Sequence, residues 1–210
     1  DHTEVLGESL GEIASEKAGI HRDGVPMFCL YHEDSVVREA IESVGGDDVE
    51  WIDDSRVDAQ STARAISQEI GRKLGWSELE TEVSWPGRTK DAFNWNGVEC
   101  RLSAAHNKES IAHDFAQVSD DEHVLLIGMT QKEELASTIE PLLGSESTTH
   151  TIVTSVEGGR KPSAAVDEIA ELFDAEVEIE VISDNSEAME RAVRIASEND
   201  CIVYVTGSVY

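Results

Sequence analysis

Basic residues are scarce in this sequence. Its 210 residues include 16 Lys and Arg against 44 Asp and Glu, which gives a formal net charge of −28. This balance argues against a nucleic-acid partner, because a phosphate backbone needs basic surface to replace its counterions. The acidic residues are spread through every segment, which predicts a solvated acidic coat. Such a coat is best tolerated near molar salt, where the Debye length is about 3 Å, and we therefore expect a halophilic source.

Cysteines and long apolar runs are also scarce. Cys29, Cys100 and Cys201 form no Cys-x-x-Cys pair, and each lies in an apolar stretch typical of a strand. We expect buried thiols in a reducing compartment. No segment approaches the roughly 18 apolar residues of a membrane span, and the N-terminus lacks a basic region followed by an apolar one. These features predict a cytoplasmic protein without a membrane partner.

The first part of the chain alternates helix and strand signals. Ser9 and Glu12 have the spacing of a capping box, and Gly19 can supply a left-handed stop, so Lys17 is predicted in the last turn of a helix. Further periodicity predicts strands at 25–30 and 49–52 and helices at 34–44 and 58–74.

A break in regular structure separates this part from the rest. The segment 80–89 contains Trp85-Pro86-Gly87-Arg88, whose Pro-Gly pair is suited to a linker. We therefore predict two domains, at residues 1–84 and 85–210.

The second part predicts a mainly parallel sheet covered by helices on both faces. A hairpin over residues 91–103 turns at Asn96-Gly97. Strands and helices then alternate, which implies right-handed crossovers. Ligands of such sheets bind at the carboxyl ends of the strands, so the loops after Ser103, Thr154 and Thr206 are the expected functional edge. Strands are predicted at 123–127, 150–154, 176–182 and 201–206, with helices at 109–117, 132–143, 163–173 and 186–198.

Two blocks near the start carry a specific resemblance. Asp1-His2-Thr3 through Leu6-Gly7, and then Glu16-Lys17-Ala18-Gly19-Ile20, resemble folylpolyglutamate synthase and dihydrofolate synthase, members of the Mur-ligase superfamily. The resemblance implies an α/β fold in which a remnant of the central ATPase domain precedes a Rossmann-like, mainly parallel C-terminal domain. The segments that follow in the family's order are Pro86-Gly87-Arg88, Ala105-His106-Asn107, Thr206-Gly207-Ser208-x-Tyr210 and, more weakly, 156–160.

The resemblance implies an ATP-dependent amide ligase that acts with Mg²⁺. The γ-phosphate of ATP passes to a pteroate or folate carboxylate, and the amine of L-glutamate attacks the acyl phosphate. The residue matching His2 ligates magnesium in this family, and the one matching Lys17 is carbamylated. A carbamate is an anionic oxygen donor suited to this hard ion, whereas a bare ammonium repels it. If the resemblance is set aside, the preferred interpretation of Lys17 is a cation that complements a helix C-terminus, and that of His2 is an ordinary loop histidine.

The same resemblance implies further site residues. Arg88 contacts the phosphates, His106 lies near the γ-phosphate and the incoming glutamate, and Asn107 is a site residue, a helix N-cap, or both. Alternatively, Arg88 is a linker arginine paired to local carboxylates. Ser103 stands where the family has an aspartate that contacts the nucleotide, which puts nucleotide affinity in doubt. Ser208 and Tyr210 contribute hydroxyls to the amino-acid substrate, unless Tyr210 only packs at the sheet edge.

Other features bound this interpretation. The sequence has no Gly-x-x-x-x-Gly-Lys-Ser/Thr loop and no initial methionine. We therefore expect an N-terminal P-loop half of the same enzyme before Asp1. The isolated fragment is expected to be inactive and monomeric. The other five histidines fit no ligand spacing and are expected at the surface or at caps. The alternatives are another Mur-type ligase, for a peptidoglycan precursor or poly-γ-glutamate, and a diverged, non-catalytic binding domain.

The acidic coat generates a prediction about salt. ATP and polyglutamate are anions, and a coat of like charge repels them less when salt screens it. We expect the activity of the complete protein to rise between low and molar KCl. A monotonic fall over the same range would contradict this.

Overall fold

The chain divides into two units, residues 1–82 and 83–210. A computed structural model describes residues 6–53, 59–77, 88–132, 134–156, 163–173 and 178–207, with only the backbone given for 59–61 and 88–91. The sequence places a domain boundary in the same segment, after residue 84. The assignment of the units as central and C-terminal ligase domains stays a prediction.

In the residues that the structure describes, the first unit pairs two parallel strands with three helices. Ser9 caps the first helix and Glu12 bonds back to the backbone of Ser9, which confirms the predicted capping box. The left-handed stop predicted at Gly19 is wrong: Gly19 has φ −58°, and its N–H closes the last turn on the carbonyls of Glu16 and Ser15. The elements are α1 (Leu10–Ala18), β1 (Met27–Leu30), α2 (Ser35–Gly45), β2 (Val49–Ile52) and α3 (Ala59–Lys73), with a 3₁₀ turn at Gly46–Asp48.

The second unit is built on a six-stranded sheet. The predicted hairpin is confirmed, with its turn at Asn96 and Gly97, which both have positive φ. Its strands are β3 (Arg88–Trp95) and β4 (Val98–Ser103), followed by β5 (His123–Gly128), β6 (Thr148–Val153), β7 (Glu178–Val181) and β8 (Ile202–Gly207). The helices are α4 (Lys108–Phe115), α5 (Leu135–Ile139), α6 (Val166–Ala170) and α7 (Asn185–Asn199), with a 3₁₀ turn at Glu140–Leu142.

The strand order brings the functional loops to one edge. The order is β3-β4-β8-β5-β6-β7, and every neighbouring pair is parallel except β3 with β4. The α/β class and the mainly parallel sheet are therefore confirmed. Because β4, β5, β6, β7 and β8 run in one direction, their carboxyl ends meet at the same edge.

Two apolar layers cover the sheet. On one face, Ile111 of α4 and Ile139 of α5 join Leu125 and Tyr204 in a buried cluster. On the other face, Ala192 and Ala196 of α7 pack with buried strand residues such as Val124 and Val203. The predicted helices on both faces are thus present.

Several predicted boundaries are wrong for local reasons. The helix predicted at 132–143 begins only at Leu135, and it becomes a 3₁₀ turn at Glu140, where Pro141 lacks the N–H that an α-helix needs. The helix predicted at 163–173 begins at Val166, because Ser163 is extended and bridges to Thr130. Within the predicted linker, Arg88 begins β3, and residues 78–87 lie outside the described residues.

His123 is buried, contrary to its predicted place at the surface or a cap. Its ring contacts Phe115 and Tyr204 edge-on, and Nδ1 lies 2.8 Å from the carbonyl of Asp121. Because a carbonyl only accepts, Nδ1 donates to it, and in the neutral ring Nε2 accepts the 2.9 Å bond from the Thr148 hydroxyl. Burial lowers the pKa of His123. Burial in the sheet therefore favours the neutral form of this histidine.

Two composition-based expectations have structural counterparts. Cys100 is buried, whereas Cys29 and Cys201 are only partly buried, and all three are free thiols. Among the described residues, no helix has both the length and the apolar character to span a membrane.

The buried His123 predicts a pH-dependent stability. Its pKa is lower in the folded state, so the unfolded chain binds more protons below about pH 6.5 and the free energy of unfolding falls on acidification. One proton contributes a slope of up to about 1.4 kcal/mol per pH unit. Urea unfolding of the wild type and His123→Gln at constant KCl should show the steeper loss between pH 7 and 5 in the wild type. The exposed His113→Gln is the control, and an equal slope in all three proteins would contradict the prediction.

Candidate functional site

The loop after β4 holds two of the predicted site residues, His106 and Asn107. Asn107 caps α4: its side-chain oxygen accepts from the Ser110 N–H at 2.9 Å, and the Ser110 hydroxyl donates to the Asn107 carbonyl at 3.1 Å. The backbone N–H groups of His106 and Asn107 both point at this hydroxyl, at 3.3 Å each. The expected N-cap is confirmed, and it fixes His106 at the carboxyl edge of the sheet.

The orientation of the His106 ring follows from a contact within its own loop. Nδ1 lies 3.2 Å from the Ala104 carbonyl, and the side chain is half-buried. Since the carbonyl only accepts, Nδ1 donates in this contact. In the neutral ring Nε2 then carries the lone pair, which is the form needed to take up a proton.

Lys132 joins the loop after β5 to the loop after β4. Its ammonium group donates to the His106 carbonyl. The adjacent segment is also tied down, because the Ala164 N–H donates to the Met129 carbonyl at 2.8 Å. Sequence reasoning missed Lys132 as a site residue. The available signal was a lysine four residues after a buried strand in a chain with few cations.

Two glycines let β5 and β8 approach closely at this edge. Gly207 has φ +133° and lies opposite Gly128 in the parallel register. A Cβ on Gly207 would lie 1.8 Å from the Gly128 carbonyl oxygen, well inside any real contact. Only glycine fits there, so the edge beside His106 is built by backbone approach as well as by side chains.

Ser103 is at the predicted edge, but its hydroxyl is already bonded. It is 2% exposed, donates to the Asp114 carboxylate at 2.7 Å and accepts from the Ala105 N–H at 3.1 Å. Its predicted contact with the nucleotide stays a prediction. Asp114, on α4, was not among the predicted site residues.

Arg88 lies at the same edge through its backbone. It is the first residue of β3 and pairs with Ser103, the last residue of β4, in the antiparallel register. Its side chain is not described, so its phosphate contact stays a prediction. Ser208, Tyr210 and His2 lie outside the described residues, as do Pro86 and Gly87.

The predicted metal residues are only partly described. Lys17 is exposed in the last turn of α1, as predicted. The described residues contain no cluster of three His, Cys, Asp or Glu side chains that could hold a metal. The assignment of His2 and Lys17 as magnesium-binding residues stays a prediction.

In the second unit, a surface depression of about 500 Å³ lies between the β3–β4 turn and α7, with Trp95, Glu190 and Arg194 in its lining. It is at the amino end of β4 and contains none of the predicted site residues. In the first unit, a groove of about 320 Å³ is lined mostly by apolar side chains and also by Lys17.

The sequence and the fold of this chain were compared with those of known proteins. No protein-family model matches the chain. Over 75 residues the chain is 41% identical to folylpolyglutamate synthase from Arabidopsis thaliana, an alignment that spans 36% of this chain and 12% of the plant protein. The E. coli FolC structure in complex with ADP superposes over 99% of this chain, with a TM-score of 0.72 and 18% identity. The predicted family resemblance is confirmed.

A second solved relative has the same fold. The bifunctional folylpolyglutamate synthase/dihydrofolate synthase with Mn, AMPPNP and L-glutamate bound superposes over 99% of this chain, with a TM-score of 0.62 and 19% identity. At these identities the solved structures establish the fold. The chain spans 56% of the length of each. It therefore has the fold of a part of folylpolyglutamate synthase.

The close approach of Gly207 and Gly128 generates a stability prediction. Gly207→Ala must move backbone, so we expect it to lower the free energy of unfolding of the second unit by more than about 2 kcal/mol. Gly144→Ala is the matched control, since Gly144 also has positive φ but faces open space, and its cost should be about 1 kcal/mol. Urea unfolding followed by amide exchange in β5 and β8 measures both. Equal costs would contradict the proposed close contact.

Proposed function

We propose that the chain forms part of an ATP-dependent amide ligase that adds L-glutamate to dihydropteroate or a (tetrahydro)folate. The observation that carries this proposal is the junction of two loops at the carboxyl edge of the sheet, where Lys132 donates to the His106 carbonyl. Ligands of parallel sheets bind at this edge. The resemblance to folylpolyglutamate synthase supplies the reaction class.

In the proposed reaction, the acceptor carboxylate takes the γ-phosphoryl group of ATP and ADP leaves. The amine of L-glutamate then attacks the acyl phosphate, inorganic phosphate leaves, and an amide bond forms. The attacking ammonium group must first lose a proton. His106 is suited to this role, because its Nδ1–H is held by the Ala104 carbonyl and the neutral ring keeps a lone pair on Nε2.

Cations at this edge suit the anionic substrates. Lys132 is half-buried in a chain of net charge −28, and Arg88 begins the strand beside Ser103. We propose that Arg88 contacts the phosphates of ATP and that Asn107 and Ser103 contribute to the nucleotide site. Ser208 and Tyr210 are proposed to bind the amino-acid substrate together with His106.

The proposed cofactor is ATP with Mg²⁺, held by His2 and a carbamylated Lys17. Such a metal neutralises phosphate charge, and its preference for oxygen donors is the reason for the carbamate. Solved relatives contain ADP, or Mn with AMPPNP and L-glutamate, which supports a nucleotide and a divalent metal.

We propose that the first unit binds a further polypeptide segment, the P-loop half of the same enzyme. Parallel strands are normally buried on both faces. In the described part of this unit, β1 and β2 form a two-stranded sheet, and large apolar side chains remain exposed, among them Ile20 at 76% and Trp76 at 66%. An added sheet segment would bury this surface.

The alternatives are another Mur-type amide ligase, for a peptidoglycan precursor or poly-γ-glutamate, and a diverged, non-catalytic binding domain. One observation favours the binding domain. The Ser103 hydroxyl is buried and committed to Asp114 and Ala105, so it offers the nucleotide less than an exposed carboxylate would.

ATP turnover by the complete protein tests the proposal. In high KCl with Mg²⁺, we expect glutamate-dependent release of phosphate with dihydropteroate, with tetrahydrofolate, or with both. His106→Ala should lower turnover by at least about 100-fold, since general acid–base catalysis contributes 10²- to 10⁴-fold, and Lys17→Ala should abolish it. His113→Ala, an exposed position on α4, is the control. No turnover with either acceptor would favour the binding domain.

A further inference from the structure

A buried polar contact joins α4 to the end of β4. Ser103 and Asp114 are eleven residues apart in sequence, and the Ser103 hydroxyl donates to the Asp114 carboxylate at 2.7 Å. Ser103 is 2% exposed, whereas Asp114 is half-buried. A bond of this kind, with a charged acceptor, is roughly twice as strong as one between neutral groups. It fixes the Ser103 hydroxyl in one orientation.

The contact continues into the loop that carries His106. With its hydrogen directed at Asp114, the Ser103 oxygen accepts the Ala105 N–H at 3.1 Å. The neighbouring Ala104 carbonyl then faces Nδ1 of His106 at 3.2 Å. Three hydrogen bonds therefore lead from the Asp114 carboxylate to the imidazole, through the hydroxyl of Ser103 and the backbone of residues 104 and 105.

The neighbours of Ser103 show why Asp114 is needed. Leu102 lies opposite Val205 in the parallel register, which places Ser103 beside the end of β8. The hydroxyls of Tyr204 and Thr206 are buried there, and neither has a hydrogen-bond partner among the described residues. Both Ser103 and Thr206 are near enough to affect the pKa of Tyr204, which burial raises to about 12, but these are contacts without hydrogen-bond geometry.

Without a carboxylate, the Ser103 hydroxyl would have a neutral alternative on β8, the Tyr204 hydroxyl. Turning toward it would redirect the Ser103 lone pairs and weaken the bond from the Ala105 N–H. The charge on Asp114 decides the competition, because the charge-assisted bond is the stronger one. The position of the loop thus depends on a residue at the far end of α4.

We propose that Asp114 is a positioning residue, which orients the His106 loop through the Ser103 hydroxyl. It acts through Ser103 and the backbone, without contact to substrate. The consequence for chemistry rests on the proposed function, in which His106 takes a proton from the incoming amine. The structural part, that Asp114 sets the state of the His106 ring, stands apart from that function.

The first experiment reads the imidazole directly. Long-range ¹H–¹⁵N correlation spectra of the 210-residue chain, with the His106 signals assigned from His106→Gln, report the tautomer and order of the ring. In the wild type we expect the Nδ1–H tautomer. Asp114→Ala and Ser103→Ala should shift the His106 signals toward a mixture of tautomers. Asp114→Asn keeps an acceptor oxygen of the same shape and should give a smaller shift.

Matched variants separate positioning from general charge effects. Asp120→Asn changes the same charge at an exposed residue after α4 and should leave the His106 signals unchanged. The double variant Ser103→Ala/Asp114→Ala should match the single variants, because both substitutions break the same path. If Asp114→Ala unfolds the chain, the His106 signals of Asp114→Asn and Ser103→Ala still test whether Asp114 orients the loop. Unchanged His106 signals in folded Ser103→Ala and Asp114→Asn would overturn the proposal.

Turnover by the complete protein tests the chemical consequence. Asp114→Ala should lower kcat roughly 10- to 100-fold while KM for ATP stays within about twofold, since misplacing a catalytic group by 1 Å can cost 100-fold in rate. A KM effect with unchanged kcat would overturn the positioning role in catalysis. Absence of turnover in the wild type would overturn the proposed function, while the His106 signals would still decide whether Asp114 orients the loop.

Discussion

The placement of β8 between β4 and β5 determines what this edge of the protein can do. β8 pairs in parallel with both neighbours, although it follows the other described strands in the sequence. This pairing aligns the ends of three strands, at Ser103, Gly128 and Gly207. The loops that carry His106 and Lys132 can meet only because those ends are level. The glycine pair allows the backbones to approach, and the Asp114–Ser103 contact fixes the loop above them.

Charge gives this edge its chemical character. The chain carries 44 acidic residues, and the proposed anionic substrates, ATP and glutamate, would be repelled by most of its surface. Lys132 is half-buried at the edge, and its ammonium group is bonded to the His106 carbonyl. Its charge is therefore held in place by the fold, unlike the charge of a fully solvated lysine. A single anchored cation can contribute more than an exposed ion pair, which salt screens.

Local signals in the sequence predicted local structure well. Ser9 with Glu12, and Asn96 with Gly97, encode a capping box and a hairpin within a few residues, and both are present. The parallel sheet followed from the alternation of elements. The burial of His123 and the Lys132–His106 bond depend on residues distant in sequence, so no local pattern signals them. The Asp114–Ser103 bond spans one helix and needed the structure to establish which face of α4 meets β4.

The central claim is that substrates bind where the loops after β4 and β5 meet, beside the end of β8. Amide chemical shifts of the isotope-labelled protein, measured during titration with L-glutamate and a non-hydrolysable ATP analogue in high KCl, test it most directly. The account predicts that the largest changes fall on residues 104–107, 129–132 and 206–207. Changes concentrated instead around Trp95, Glu190 and Arg194, at the opposite edge of β4, would contradict it.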